Sequence, residues 1–192
     1  MSAESWEKSL AARVGAAVRS LRGKGRSAQW LADATKALGY PIGRATISEI
    51  ERGSRRTITV AELLILARAL NTSPTNLMYP DPQDDDPTQV VEVLPDVRVT
   101  EFQAAQWFSG HRHGFTDTKD GAESRRLRDE FQANTRELRL WRKIGQYRDR
   151  LSAIAKSPGG ELTDDQRRDK AFYEAEIADL RTELGAANNG DD

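Results

Sequence analysis

Along the first eighty residues, apolar positions recur at intervals of three and four and are punctuated by glycine, proline and short polar caps. Trp6, Leu10, Val14, Ala17, Val18 and Leu21 form one such series, which Gly23 and Gly25 stop. Ser27 is placed to cap a second helix carrying Trp30, Leu31, Ala34 and Leu38, with Gly39 at its end. Tyr40-Pro41-Ile42-Gly43 reads as a turn, because proline disfavours helix in the residue before it. A third helix follows over about 43–52. It has only Ile47 and Ile50 as large apolar residues. Thr59 and Glu62 have the spacing of a capping box and open a fourth helix with Leu63, Leu66, Ala67 and Leu70 inward. Ser73-Pro74 caps a fifth, with Leu77 and Met78 as its apolar residues. Five short helices predict an all-α domain over residues 1–80.

The pattern then changes. Residues 81–99 read as an acidic linker, opened by Pro80-Asp81-Pro82-Gln83-Asp84-Asp85-Asp86-Pro87 and closed by a short strand through Val90, Val91, Val93 and Leu94. Thr100 and Gln103 form a second capping box, so residues 100–122 hold a short helix with Phe102, Trp107 and Phe108, then a polar loop from Gly110 to Gly121. Residues 123–192 are highly charged. A narrow stripe of Leu127, Phe131, Leu138, Trp141, Ile144, Tyr147, Leu151 and Ile154 predicts one long amphipathic helix, broken by Ser157-Pro158-Gly159-Gly160. Thr163 to Gln166 caps a last helix with Phe172, Tyr173, Ile177, Leu180 and Leu184, and the tail after Gly185 is expected to fray. Two narrow stripes with a tight joint predict an antiparallel helical hairpin.

Composition narrows the chemistry. The chain has 192 residues, no cysteine, 38% hydrophobic residues and 31% charged ones. Disulfides and thiolate metal sites are excluded, and a reducing, cytoplasmic setting is expected. The N-terminus lacks a basic start followed by an apolar run, so no secretory leader is predicted, and no stretch is long enough to span a membrane. Net charge is -1 but unevenly spread. Residues 1–80 carry 12 Lys and Arg against 6 Asp and Glu, and residues 81–122 carry 3 against 9. A basic front end beside an acidic segment points to a charged partner. No nucleophile, phosphate-loop or paired-carboxylate pattern appears, so no enzymatic activity and no cofactor are expected. His111 and His113, with Asp117 and Asp120 nearby, show no further ligand pattern, and a solvated loop is favoured over a metal site.

Several motifs in the front end occur together in one order: Leu21-Arg22, Leu31-Ala32, Ile47-Ser48-Glu49-Ile50-Glu51-Arg52-Gly53 and Leu66-Ala67-Arg68-Ala69-Leu70. In this, residues from about 14 to 79 resemble the phage-repressor-like helix-turn-helix domains of the Xre family. The long second helix followed by Pro41-Ile42 and Thr46-Ile47-Ser48 is similar to regulators of actinobacteria and their phages. The resemblance implies that the third helix lies in the major groove of double-stranded DNA. Arg44, Ala45, Ser48 and Glu49, flanked by Thr46, are then the base-reading positions. Their side chains suit base edges: arginine reaches guanine bidentately, glutamate accepts from cytosine, and an alanine methyl packs on thymine methyl.

Phosphate contacts are expected at the start of helix two, where free N–H groups meet an anion, with Arg26, Ser27 and Gln29 as candidates. The sequence departs from the family here, because Ala28 stands where a glutamine is common. Arg52, Arg55 and Arg56 leave the third helix where the family's loop meets the backbone. The resemblance also implies a structural pair between Arg22 and Glu51. Leu138, Trp141, Ile177 and Leu180 are candidates for self-association, and a homodimer through the hairpin is expected. These features predict a DNA-binding transcriptional regulator of the repressor kind. The rival reading is an antitoxin or adaptor whose hairpin takes a protein partner.

Overall fold

The computed structural model describes residues 3–82, 90–113, 120–156 and 162–188. The Asp84–Asp86 run, Asp117 and the Ser157–Gly160 joint lie outside these. The chain divides into two units, Met1–Phe115 and Thr116–Asp192.

In the first unit, five helices enclose one core: α1 (Ala3–Arg22), α2 (Ala28–Ala37), α3 (Arg44–Glu51), α4 (Val60–Ala69) and α5 (Pro74–Met78). Side-chain caps fix where three of them begin. Ser27 Oγ accepts from Trp30 N at 3.1 Å, Thr59 and Glu62 form the reciprocal capping box, and Ser73 Oγ accepts from Thr75 N with Pro74 in the first turn. Leu31, Ile47, Ile50, Leu66 and Leu77 are fully buried in this core, each contributing about 1.5–3 kcal/mol by transfer out of water. Leu38 is the C-cap of α2 and is exposed. Trp30 is only partly buried.

Two details set the position of α3. Thr35 is fully buried; its hydroxyl donates to Ala32 O at 2.9 Å and accepts from Ile42 N at 3.0 Å, tying α2 to the turn that precedes α3. Gly15 lets the backbones of α1 and α3 touch, since a Cβ there would lie 1.9 Å from the carbonyl oxygen of Ile50.

After α5 the sequence reading needs a correction. The expected strand is β1 (Val90–Leu94), but it pairs antiparallel with a second strand, β2 (Val97–Thr100), which the reading missed. The turn between them places Asp96 at φ 64°, with its N–H donating to Glu92 Oε1 at 2.8 Å. Thr100 then caps α6 (Glu101–Phe108) through the expected box with Gln103. The hairpin and α6 gather Tyr79, Val93 and Ala104 into a small core, against which Trp107 packs. Arg13 of α1 donates to Glu92 O at 3.2 Å, with its guanidinium 5.7 Å from the Tyr79 ring centre. Residues beyond 80 thus join the first unit.

The second unit corrects the long helix. It is two helices, α7 (Gly121–Asn134) and α8 (Arg136–Ala155), parted at Thr135. Thr135 takes φ -108° and ψ 6°, outside the helical range, so the helix is interrupted without glycine or proline. Helix α9 (Asp164–Asn188) runs through Gly185 instead of fraying there. Thr163 and Gln166 exchange cap bonds at 2.9 and 3.2 Å. α8 and α9 lie antiparallel: Arg136 meets Glu183 at 2.9 Å, Lys143 meets Glu176 at 3.3 Å, and Tyr147 meets the ring of Phe172. Their seam holds Ile144, Ile177, Leu180 and Leu184, with Leu140, Tyr147 and Leu151 at its edges.

Candidate nucleic-acid interface

Helix α3 has two faces. Ile47 and Ile50 point into the core with no exposed surface to speak of, while Arg44, Ala45 and Glu49 are exposed and Thr46 and Ser48 are half-buried. The five candidate reading residues therefore share the side away from the core or its flank. Gly43, the N-cap, adds no side-chain bond.

The rear of α3 is clamped. Arg22 Nε and Nη2 donate to the two oxygens of Glu51 at 2.6 and 2.9 Å, a fork-on-fork pair that joins the end of α1 to the end of α3. The hydrogen bond to Glu51, more than the partial burial that opposes it, raises the Arg22 pKa, so the charge on this arginine is permanent. Gly53, at φ 64°, ends α3 in a left-handed turn, and Ser54 returns both its N–H and its hydroxyl to Glu49 O at 3.1 Å.

The candidate phosphate residues are less uniform than their sequence suggests. Ser27 spends its hydroxyl on the α2 cap. Gln29 is exposed and donates to Asp33 at 2.9 Å. Arg26 folds back: it donates to Leu21 O at 2.8 Å and Arg22 O at 3.1 Å, and lies 4.5 Å from the Trp30 ring centre. It thereby covers the carbonyl end of α1. Ala28, at the position where the family commonly has glutamine, packs against the core. Arg52 is exposed.

Arg55 and Arg56 are both ion-paired. Arg55 meets Glu62 at 2.5 Å, and Arg56 meets Glu7 at 2.9 Å and Glu4 at 3.2 Å. Burial pushes the Glu62 carboxyl up, but the bonds from Arg55 and Thr59 outweigh it and hold the group below its usual value. Glu4, Glu7 and Glu62 are the partners that the sequence reading missed. Glu7 is distant in the chain from Arg56, and Glu62 had been assigned only a capping role, which it fills together with the ion pair.

The four candidate self-association residues do not form one patch. Ile177 and Leu180 are buried in the α8–α9 seam, whereas Leu138 and Trp141 are 47% and 50% exposed on α8. The reason is helical phase: Leu140, Ile144, Tyr147 and Leu151, spaced by four, three and four, form the α8 side of the seam, and Leu138 and Trp141 fall outside that row. Among the described residues no group of histidine and acidic side chains is arranged to hold a metal ion, and no helix is long and apolar enough to cross a membrane.

Residues 24–77 match the family model described as Helix-turn-helix. No curated protein and no solved structure matches the chain. The matched segment runs from the turn before α2 through Leu77 of α5 and includes every candidate reading residue. It supports a DNA-binding regulator in general.

Proposed function

From the premise that residues 24–77 form a phage-repressor-like helix-turn-helix domain, we propose that the chain is a sequence-specific transcriptional repressor acting in the cytoplasm. Its α3 enters the major groove and Arg44, Ala45, Thr46, Ser48 and Glu49 meet base edges. The observation that carries this reading is the division of α3: an eight-residue helix anchored by Ile47, Ile50 and the Arg22–Glu51 clamp, with its polar residues turned outward. Rigid positioning of such a helix is what base readout demands.

In this reading Ser27, Gln29 and Arg52 approach phosphates directly, while Arg55 and Arg56 do so by exchanging Glu62, Glu4 and Glu7 for phosphate oxygens. Arg26 serves mainly to close α1. The test is retention of random genomic DNA fragments by the full chain, followed by sequencing. An enriched motif is expected. Arg44→Ala should then lower affinity for that motif by about 1–3 kcal/mol and leave non-specific binding nearly unchanged. Equal losses on both DNAs would move Arg44 from the bases to the backbone.

The protein acts as a homodimer in this reading, with two domains on two half-sites. Ile177 and Leu180 are occupied within one chain, so the exposed Leu138 and Trp141 form the contact. Light scattering on the full chain should give twice the protomer mass, and Trp141→Glu should return it to one. The same exposed pair supports the second reading, an antitoxin or adaptor whose hairpin takes a protein partner. A wild-type protomer mass at tens of micromolar would favour that second reading.

A further inference from the structure

The first unit contains an apolar cleft of 480 Å³ lined by Leu10 and Val14 of α1, Ile58, Leu63 of α4, Met78 of α5 and Phe108 of α6. Val60 and Leu64 stand at its mouth, 73% and 51% exposed. The volume lies within the range of small-molecule sites, which are concave and mostly apolar with a few polar groups.

The polar groups in the wall are already committed. Glu7 accepts from Arg56 at 2.9 Å, and Thr59 is bound into the capping box with Glu62. Thr57 and Thr75 supply hydroxyls, and among the described residues no uncommitted charge lines the cleft. An ionic ligand would lose its hydration there without a counter-charge. The occupant these walls suit is therefore uncharged.

The cleft also adjoins both ion pairs of the loop after α3. Glu7, a wall residue, holds Arg56, and Thr59, another wall residue, positions Glu62, which holds Arg55. An apolar occupant beside Thr59 excludes water and lowers the local dielectric around the part-buried Arg55–Glu62 pair, which strengthens that pair against a competing phosphate.

We infer that this cleft binds a neutral, apolar small molecule, and that its occupancy withholds Arg55 from DNA. The second half rests on the DNA-binding reading above; the first half does not.

N-Phenyl-1-naphthylamine, an uncharged fluorophore, serves as the probe with the full chain and no DNA. Saturable enhancement at one probe per chain is expected, at least tenfold weaker in Leu64→Glu and in Val60→Glu. Both sites are exposed helix positions, and unchanged far-ultraviolet dichroism would show the variants folded. Arg168→Glu, on an 83% exposed side chain in the other unit, should bind the probe as wild type does. Non-saturable enhancement, or equal affinity in all variants, would overturn the site. So would a wild-type chain that excludes the probe and becomes monomeric on Leu64→Glu, because the occupant would then be a second copy. With DNA, saturating probe should lower the slope of log K against log salt by about 1, for the one arginine withheld. Saturable probe binding with an unchanged slope would overturn the coupling alone. If the chain binds no DNA under any condition, the repressor reading fails and the probe result still decides the site.

Discussion

The two units bury their apolar residues in different ways. Of the largest fully buried side chains among the described residues, Leu31, Ile47, Ile50, Leu66, Leu77, Val18 and Thr35 lie in the first unit, and Ile144 lies in the second. The first is built of short helices that converge on one centre. The second spreads a thin seam along two long helices and laces its rim with pairs such as Arg136–Glu183 and Lys143–Glu176. Exposed pairs of that kind contribute little each. A centred core can hold a short helix whose outer face is wholly polar, as α3 requires. A seam can hold only helices long enough to repeat the contact.

The largest test of this contrast is at Gly15. Alanine there gains up to about 1 kcal/mol in helix propensity. Its Cβ, however, meets the Ile50 backbone at 1.9 Å, where no side chain can swing aside. The clash wins, and Gly15→Ala should destabilise the first unit by about 3 kcal/mol, the upper part of the range for overpacking. Urea unfolding followed by dichroism measures this, and a neutral or stabilising result would mean that α1 and α3 separate at no cost.

Next is a matched pair. Ile47→Ala and Ile144→Ala remove the same atoms from sites of equal exposure. Ile47 has neighbours from several elements, so its loss should cost about 3–4 kcal/mol, against about 2 kcal/mol for Ile144, whose seam can close over the gap. Hydrogen exchange should place the second loss within 121–188. Equal costs would erase the distinction between core and seam.

The smallest effect concerns pH. The Glu62 carboxyl is held low in the folded chain, so its stabilising contribution is in place above the ordinary carboxylate range. That contribution disappears as pH falls through the folded value. Glu62→Gln should therefore flatten the acid limb of urea midpoint against pH. An identical acid limb in the variant would show that Arg55 does not hold Glu62 in solution.

Much of the first unit was legible because its signals are local. Ser27, Thr59, Ser73 and Thr100 announce their helices within three residues, as Thr163 does in the second unit, and Ile47 and Ile50 declare the inner face of α3. The second strand was passed over because Val97-Arg98-Val99 is too short a run to stand out after Pro95-Asp96. The break at Thr135 carried no warning, since the apolar stripe continues through it and no glycine or proline marks it. The arginine pairs were illegible for another reason. Charge at Arg55 and Arg56 is visible in sequence, but its neutralisation by Glu62 and Glu7 depends on how α1 and α4 meet the loop.

The anchoring of α3 from behind bears on how such a protein changes over generations. Ile47, Ile50, Glu51 and the contact with Gly15 hold the helix in place, and none of them belongs to its outer face. Replacements at Arg44, Ala45 or Glu49 touch solvent and leave the core as it was. If α3 reads bases as proposed, folding and recognition are written on separate letters of the same eight-residue word, and a lineage that respells the outer letters one at a time changes its target while keeping its core.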